Sequence, residues 1–260
     1  MKEHDISCEH YKVKFKEYIS FEDIIADEYS IIGRKIAEVI SKRFKEKISC
    51  LDIGCGTGRM PNTLIKLLDA SGIGIVFDYL DPATESLEIY RNNVPSLNRR
   101  KAINSDLANF FCDKEYDLLL ANNSLCGYDI SREKNIIKLL LPIKESGLTI
   151  ITLPSNESDW VKYADMFWGR LHGDKPKKTR FESLIDAFNK YGIQYQSILV
   201  NAPLLLSNKD SDSSLRAIFN VMLYSDQTYP DYRSCFQSFK KEVLQNGKLD
   251  FVYGITVAEK

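Results

Sequence analysis

Hydrophobic and polar residues along this chain form a repeating pattern of short apolar runs and longer amphipathic stretches. Residues 10 to 45 carry apolar side chains at helical spacing, among them Ile32, Ile36 and Ile40, so helices are expected there. Strands are predicted near 48–53, 73–80, 101–104, 116–121, 148–153, 193–206 and 251–257. Helices are predicted near 60–69, 83–92, 131–142, 158–169, 178–190, 213–224 and 231–245. Strands that alternate with helices in this way indicate an α/β fold, with a parallel sheet covered by helices on both faces.

The composition and net charge of the chain limit the kinds of binding partner that can be expected. The chain has 260 residues, 44% of them hydrophobic, and a formal net charge of −1 from 35 basic and 36 acidic residues. This balance gives no overall field toward nucleic acid or an anionic membrane, and no apolar run reaches about 18 residues. We therefore expect no nucleic-acid partner and no membrane association. The protein is expected to be a monomer or a homodimer. The basic cluster at 175–180 is interpreted as a solvated loop, with a contact to an anionic substrate group as the alternative.

Cysteine and histidine usage predicts a compartment and argues against a metal. The six cysteines form no Cys-x-x-Cys pair, and residues 1 to 10 are charged without the apolar core of a signal peptide. Reduced thiols and a cytoplasmic location are therefore expected. The three histidines do not cluster with cysteines, so no metal site is predicted.

The most informative segment joins the first strand to the following helix and reads LDIGCGTGR from Leu51 to Arg59. Its glycines stand at alternate positions, Gly54, Gly56 and Gly58. Glycine has no Cβ and accepts positive φ, so the chain can turn sharply and a ligand can approach the backbone closely. A strand, a glycine turn and a helix N-terminus together form a site for the polar part of a nucleotide-like ligand.

The glycine spacing separates the known nucleotide-binding motifs. A dinucleotide fingerprint, G-x-G-x-x-G, needs a third glycine where this chain has Arg59, and the Gly-Lys-Ser/Thr ending of a P-loop is absent. The string DIGCGTG instead resembles motif I of the class I S-adenosylmethionine (SAM)-dependent methyltransferases, with another Rossmann-like binding protein as the alternative. The resemblance implies SAM as cofactor, S-adenosylhomocysteine (SAH) as product, and a Rossmann-like, seven-stranded, mostly parallel sheet whose last strand is antiparallel.

The same resemblance implies a single methyltransferase domain over 1–260. Its expected parts are an N-terminal helical lid over 1–45, a core over 46–206 and 249–260, and an inserted substrate-side cap over 207–248. In the cap segment, polar and aromatic residues replace the regular alternation of strands and helices.

The resemblance also assigns cofactor contacts beyond the glycine turn. Asp81, at the end of the second strand, is expected to bind both ribose hydroxyls, with capping of the next helix as the alternative. Asp106, after the third strand, is expected to meet the adenine amino group or else to cap a short helix. Asp52 is placed to reach the methionyl ammonium, or to be satisfied by backbone donors. The expected cofactor contacts are Asp52, Gly54, Cys55, Gly56, Gly58, Asp81, Pro82, Asp106, Leu107 and Asn122.

The end of the fourth strand, Asn122-Asn123-Ser124-Leu125, lies where this fold brings cofactor and substrate together. Amino-methylating enzymes of nucleic acids carry Asn/Asp-Pro-Pro-aromatic there, and this chain has no such prolines. Cytosine C5 enzymes have a nucleophilic Cys after a Pro, whereas Cys126 has no Pro beside it and is interpreted as a packed thiol. The segment is more similar to that of small-molecule methyltransferases.

Outside the core motifs, the order and spacing of residues resemble histamine N-methyltransferase and its relatives. The similarity includes the N-terminal aromatics, the segment 153–168 and the closing strand 251–259. It implies that Glu22 and Asn123 are the catalytic pair that holds an amine. Aromatics of the lid and of the helix after the fifth strand are expected to form pocket walls, although aromatics at helical spacing are usually core residues. The expected substrate contacts are Tyr18, Phe21, Glu22, Asn123, Trp160 and Tyr163.

These patterns together predict a SAM-dependent methyltransferase that acts on a small molecule. The favoured acceptor is the amine nitrogen of a metabolite or a peptide-derived natural product, since enzymes that methylate the α-amine of azole-containing peptides are related. The alternatives are O-methylation of a small metabolite, methylation of RNA or protein, and a non-catalytic SAM-binding protein. Neither a covalent enzyme intermediate nor a metal is expected.

Overall fold

A seven-stranded sheet lies at the centre of the computed structural model, which describes residues 15–173, 179–206, 212–223, 225 and 227–260. The strands are β1 (Ile48–Ile53), β2 (Ile75–Asp81), β3 (Arg99–Asn104), β4 (Tyr116–Asn122), β5 (Ile143–Pro154), β6 (Tyr195–Leu205) and β7 (Lys248–Glu259). Their order is β3-β2-β1-β4-β5-β7-β6. Neighbours from β3 to β5 pair in parallel, and β7 runs antiparallel to β5 and β6. The predicted fold class is confirmed.

The helices in the described part of the chain lie close to the predicted positions. They are α1 (Phe15–Ile24), α2 (Ala26–Arg43), α3 (Arg59–Asp69), α4 (Thr84–Asn93), α5 (Glu133–Leu140), α6 (Asp159–His172), α7 (Phe181–Lys190), α8 (Asp212–Leu223) and α9 (Tyr232–Asn246). A short 3₁₀ turn over Ser96–Asn98 precedes β3. No helix among the described residues is long and apolar enough to span a membrane.

Two hydrophobic cores cover the two faces of the sheet. On one face, α2 and α3 bury residues at helical spacing, such as Ile36, Ile40 and Leu64, in a core that continues into α6, α8 and α9. On the other face, α5 and α7 pack through a second core that includes Ile136 and Phe188. Burying an apolar stripe of each helix on the sheet supplies most of the stability of such a fold.

Several boundaries differ from the predicted ones because pairing and capping decide where an element ends. The predicted strand at 251–257 extends over Lys248–Glu259, since β7 pairs with β6 from Lys248 to Ala258. β2 begins at Ile75 instead of residue 73 because Ile73 N–H donates to Leu68 O at 3.0 Å and so closes α3. The basic residues at 175, 177 and 178, and the aromatic Tyr11, lie outside the described residues.

α1 and the two helices after β6, α8 and α9, belong to one packed group. α1 packs against α8, and both α8 and α9 pack against α6. Phe21 of α1 contacts Trp160 of α6 with ring centroids 5.2 Å apart. The N-terminal helix and the helices after β6 therefore pack together around α6.

Candidate functional site

The glycine turn between β1 and α3 has the backbone conformation that only glycine accepts readily. Gly54 and Gly56 have φ values of 61° and 52°, in the left-handed region. A Cβ on Gly54 would overlap the Cβ of Ser124, which follows β4. A Cβ on Gly56 would instead lie 3.4 Å from the hydroxyl of Tyr18 and 3.7 Å from Oε1 of Glu22. Gly54 thus serves close packing, while Gly56 faces the space between the turn and α1.

Backbone and side-chain hydrogen bonds hold this turn in place. Cys55 N–H donates to Leu80 O at 3.0 Å, which joins the turn to the end of β2. Ser124 Oγ donates to Ile53 O at 2.6 Å, which joins it to the loop after β4. Gly58 packs its Cα against Tyr90 of α4, where a Cβ would lie 2.9 Å from the ring. The turn is therefore fixed before any ligand arrives.

Asp81 lies at the end of β2 and contacts the glycine turn directly. Its Oδ2 accepts from Gly56 N–H at 3.0 Å, and its Oδ1 accepts from Ala83 N–H at 2.8 Å. The side chain is buried, and this burial raises the pKa of Asp81 to about 6. The carboxylate thus orders both the glycine turn and the residues that lead into α4. It lies at the position expected for a ribose contact and also at the position expected for a helix cap.

Asp52, the last acid before the glycines, is buried with an unsatisfied oxygen. It is 2% exposed, and its Oδ2 has no hydrogen-bond partner among the described residues. Burial, and secondarily the charge of Asp81, raise the pKa of Asp52 well above its usual range. Because a buried polar atom without a partner is costly, this oxygen is suited to accept a hydrogen bond from a bound ligand.

Glu22 of α1 lies over the glycine turn. Its carboxylate accepts hydrogen bonds from Thr57 Oγ1 and, at 3.4 Å, from Tyr29 Oη. Arg59 Nε lies 3.5 Å from Glu22 Oε2, and a terminal nitrogen of Arg59 pairs with Asp23. Burial raises the pKa of Glu22, and the contacts with Thr57 and Arg59 partly offset this effect. Thr57 of the glycine turn and Arg59, the first residue of α3, therefore tie α1 to the turn.

Asn122 and Asn123 lie at the carboxyl end of β4 and are held by β5. Thr152 Oγ1 donates to Asn122 Oδ1 at 2.6 Å, and Asn123 N–H donates to Thr152 O at 2.9 Å. Asn123 has a φ of 53°, a left-handed conformation that Asn tolerates better than most residues. Its side-chain oxygen accepts from Cys126 Sγ at 3.4 Å. Two amides are thus fixed at the switch point of the sheet, where ligands bind in open α/β folds.

The aromatic residues predicted to form pocket walls fall into two groups. Trp160 lies between Phe21 and Phe251 of β7, with ring centroids 5.2 and 6.0 Å away. Tyr163, in contrast, is fully buried and packs edge-on against Phe239 of α9 at 5.1 Å. The structure brings Phe21 and Trp160 together beside the site, whereas Tyr163 lies in the core between α6 and α9. A substrate contact by Tyr163 stays a prediction.

The predicted adenine contacts lie on the loop after β3. Asp106 is exposed and accepts from Asn109 N–H at 2.7 Å, so it caps the local turn. Leu107 is buried beside it. Pro82 O accepts from Asn104 Nδ2 at 3.0 Å, which links the loops after β2 and β3. The cap alternative therefore describes the present contacts of Asp106, and its contact with adenine stays a prediction.

Two buried polar residues near the site were not singled out in the sequence. Glu28 of α2 and Tyr253 of β7 are 2% and 3% exposed. Burial raises the pKa of Tyr253, and the charges of Glu28 and Cys126 raise it further, so these three groups lie near one another. No sequence signal marks Glu28, because an acid in the first turn of a helix is common. Among the described residues, no group of three or more His, Cys, Asp or Glu is arranged to hold a metal ion.

Comparison with known sequences gives one curated relative. No protein-family model matches the chain. The chain is 25% identical over 146 residues to a malonyl-[acyl-carrier protein] O-methyltransferase of Priestia megaterium. The match covers 56% of this chain and 51% of that protein, so the chain spans about half the length of the curated relative it matches.

Solved structures share the fold over nearly the whole chain. A SAM-dependent methyltransferase of Thermotoga maritima, a possible histamine N-methyltransferase, has a TM-score of 0.55 at 15% identity and covers 97% of this chain and 98% of its own. The plantazolicin methyltransferase, in complex with a triazolic desmethylPZN analog and SAH, has a TM-score of 0.58 at 12% identity and covers 98% and 95%. The resemblance predicted from the glycine motif is confirmed at the level of the fold, which is that of the class I methyltransferases.

Proposed function

We propose that this chain, which has the class I methyltransferase fold, is a SAM-dependent methyltransferase that acts on a small molecule. The observation that carries the proposal is the left-handed glycine turn, whose Gly56 faces the Tyr18 hydroxyl and the Glu22 carboxylate. A second observation supports it, because Asp52 Oδ2 is buried without a partner in the described part of the chain. The malonyl-[acyl-carrier protein] O-methyltransferase is the similar curated protein.

The residues around the turn fit the cofactor. Asp81, already a hydrogen-bond acceptor at the end of β2, would accept from the ribose hydroxyls. Asp52 would accept from the methionyl ammonium with its unsatisfied oxygen. The backbone around Gly56 has no side chain of its own to keep a ligand away. The loop with Asp106 and Leu107 would border the adenine.

SAM, when bound, supplies a methyl group that passes to a nucleophile while the C–S electron pair stays on sulfur to give the neutral thioether SAH. The protein's part is to hold the nucleophile in line and exclude water. Asn122 and Asn123 are fixed at the strand end by Thr152, and we assign them the orientation of cofactor and substrate. An amine must first lose a proton to water or to a buried carboxylate, because an ammonium has no lone pair.

An amine nitrogen is the acceptor that we favour. The segments that we assign to the substrate side contain a buried acid, Glu28, and two aromatic rings in contact, Phe21 and Trp160. An acid and aromatic rings suit a cationic or amine-bearing ligand. The plantazolicin methyltransferase and the possible histamine N-methyltransferase share the fold. The second candidate is O-methylation, which the name of the curated relative favours. In either case we propose that α1, α8 and α9 cover the substrate, as the expected lid and cap.

Calorimetry followed by a substrate panel tests the proposal. SAM and SAH should bind with dissociation constants in the micromolar range, which correspond to binding free energies on the order of −8 kcal/mol. NAD should not bind. With SAM present, mass spectrometry of reactions with small amines, azole peptides that carry a free α-amine, and carboxylic acids should show a gain of one methyl group in one class. Absence of SAM and SAH binding would reject the proposal, and transfer to carboxylates alone would favour the second candidate.

A further inference from the structure

We propose that Glu22 belongs to the cofactor site and that its charge makes the protein prefer the cationic cofactor SAM over its neutral product SAH. The inference rests on the proposed function. It differs from the role implied by the sequence resemblance, in which Glu22 holds the substrate.

The position of Glu22 relative to the turn is the first support. Its Oε1 lies 3.7 Å from the point where a Cβ of Gly56 would stand, and Gly56 is the residue of the turn that faces the ligand space. The side chain is 2% exposed. Thr57 and Tyr29 donate hydrogen bonds to the carboxylate, so its orientation is fixed. A fixed, buried carboxylate acts on a nearby charge through a medium of low polarity, where the interaction is strong.

The second support is the balance of charge around the turn. Three acids surround the turn: Asp52 precedes its glycines, Asp81 accepts from Gly56 N–H, and Glu22 accepts from Thr57 Oγ1. One of these acids, Asp52, keeps an oxygen without a hydrogen-bond partner among the described residues. Arg59 faces Glu22 but also pairs with Asp23 on the solvent side. Acidic side chains therefore outnumber basic ones around the turn.

This excess matches the one difference in charge between cofactor and product. Both molecules have the same ribose, adenine and amino acid groups, so contacts with those groups contribute equally to both affinities. Only SAM has a positive sulfur. A buried carboxylate that faces this part of the site contributes to SAM binding and loses that contribution when the methyl group leaves. Asp81 bonds to the backbone of the turn, whereas Glu22 contacts it through the side chains of Thr57 and Arg59, so the charge of Glu22 can act on the ligand without setting the backbone.

Equilibrium binding of three ligands to the full chain tests the inference. The ligands are SAM, SAH and an analogue of SAM that carries a protonated amine in place of the sulfonium. Glu22→Gln keeps the size of the side chain and one acceptor oxygen, replaces the other oxygen by an NH2 donor, and removes the charge. We expect Glu22→Gln to weaken SAM and the amine analogue by about tenfold while SAH affinity changes less than about twofold.

The matched control is Asp23→Asn, which removes the same charge from the neighbouring position of α1. The Asp23 side chain is 64% exposed, so solvent screens its charge. The ratio of SAM to SAH affinity should stay within about twofold of wild type. Equal loss of both ligands in Glu22→Gln, or an unchanged ratio, would overturn the inference.

The wild-type protein gives a test that does not depend on the folding of a variant. It should bind both SAM and the amine analogue more tightly than SAH, and equal affinity for the three would also overturn the inference. These outcomes differ from failure of the proposed function, in which the wild-type protein binds neither SAM nor SAH.

Discussion

The two sides of the site are built in different ways. The proposed cofactor side is one continuous segment of nine residues from Leu51 to Arg59, which includes the end of β1 and the glycine turn, with Asp81 added at the end of the neighbouring strand. The proposed substrate side is assembled from segments far apart in the chain, namely Phe21 of α1, Asn123 after β4, Trp160 of α6 and the edge of β7. One side depends on backbone conformation and the other on the packing of side chains.

This difference decides how each side responds to change. Positive φ and a close backbone approach admit hardly any residue but glycine, so the cofactor side tolerates few substitutions. Packed aromatic groups tolerate changes of similar volume, so the substrate side can vary without loss of the fold. We therefore expect variants on the cofactor side to lose binding and stability together, and variants on the substrate side to separate the two.

The largest effect is expected for Gly54→Ala. Its φ of 61° is unfavourable for Ala, and the new Cβ would overlap the Cβ of Ser124. Since backbone strain and steric overlap add, urea unfolding should show a loss of about 4 kcal/mol, with no measurable SAH binding by calorimetry. The control is Gly72→Ala, whose φ is 73° with nothing within 4 Å of the new Cβ. It should cost about 1 kcal/mol, and equal losses in the two variants would contradict the steric explanation.

Trp160→Ala tests the proposed substrate side by the same two measurements, the free energy of unfolding and the affinity for SAH. The indole lies between Phe21 and Phe251 and is 6% exposed. Removing it should destabilise the protein by about 3 kcal/mol through lost packing and the cavity left behind. SAH affinity of the folded protein should change little, because the ring contacts α1 and β7 and not the glycine turn. Trp160→Phe, as the control, should recover most of the stability, and loss of SAH binding in Trp160→Ala would show that the two sides are not separable.

Asp81→Ala should weaken SAM and SAH binding by about 2 kcal/mol each, through the loss of charge-assisted hydrogen bonds. Calorimetry measures the change directly. The matched control is Asp69→Ala, since that acid is exposed and is the last residue of α3, away from the glycine turn. An unchanged SAH affinity in Asp81→Ala would contradict the ribose contact and limit the role of Asp81 to its hydrogen bonds with Gly56 and Ala83.

The raised pKa of Asp81 also predicts a dependence on pH. Burial raises this pKa to about 6, against about 3.9 for Asp in an unfolded chain. Between these values the folded state holds a proton that the unfolded state has released, so the contribution of Asp81 to stability is greatest below about pH 4 and declines as pH rises to about 6. Ligand affinity should follow the opposite direction and rise with ionisation of Asp81. The stability profile of wild type minus that of Asp81→Asn should show this slope, and a flat difference would contradict it.

The cofactor side was predictable from sequence because its requirements are local. Alternate glycines after an apolar strand predict the turn, and an acid at the end of the next strand predicts the position of Asp81. The contact of Gly54 with Ser124 was not predictable, since 70 residues separate them. Glu22 was expected in an N-terminal segment that holds the substrate, and its position 3.7 Å from the point of a Gly56 Cβ could not be predicted because it depends on the packing of α1. Tyr163 and Trp160 have the same helical spacing, and only the tertiary position of α9 separates a core ring from one beside the site.

The smallest effect concerns Asn123, where the two sides meet. Its φ of 53° means that an ordinary replacement would change the backbone as well as the amide, so Asn123→Gly is the informative variant. If the amide orients an amine acceptor, Asn123→Gly should lower kcat/KM for the methylated substrate by about tenfold, the scale of one ~1.4 kcal/mol interaction. SAH affinity should stay within about twofold, because Asp52, Asp81 and the glycine turn are untouched. Asn123→Ala serves as the control for the backbone, since it removes the amide and adds about 1 kcal/mol of strain. If Asn123→Gly turns over substrate at the wild-type rate while Asn123→Ala does not, the position matters through its conformation and not through its amide. Backbone conformation would then matter at Asn123 as it does in the glycine turn.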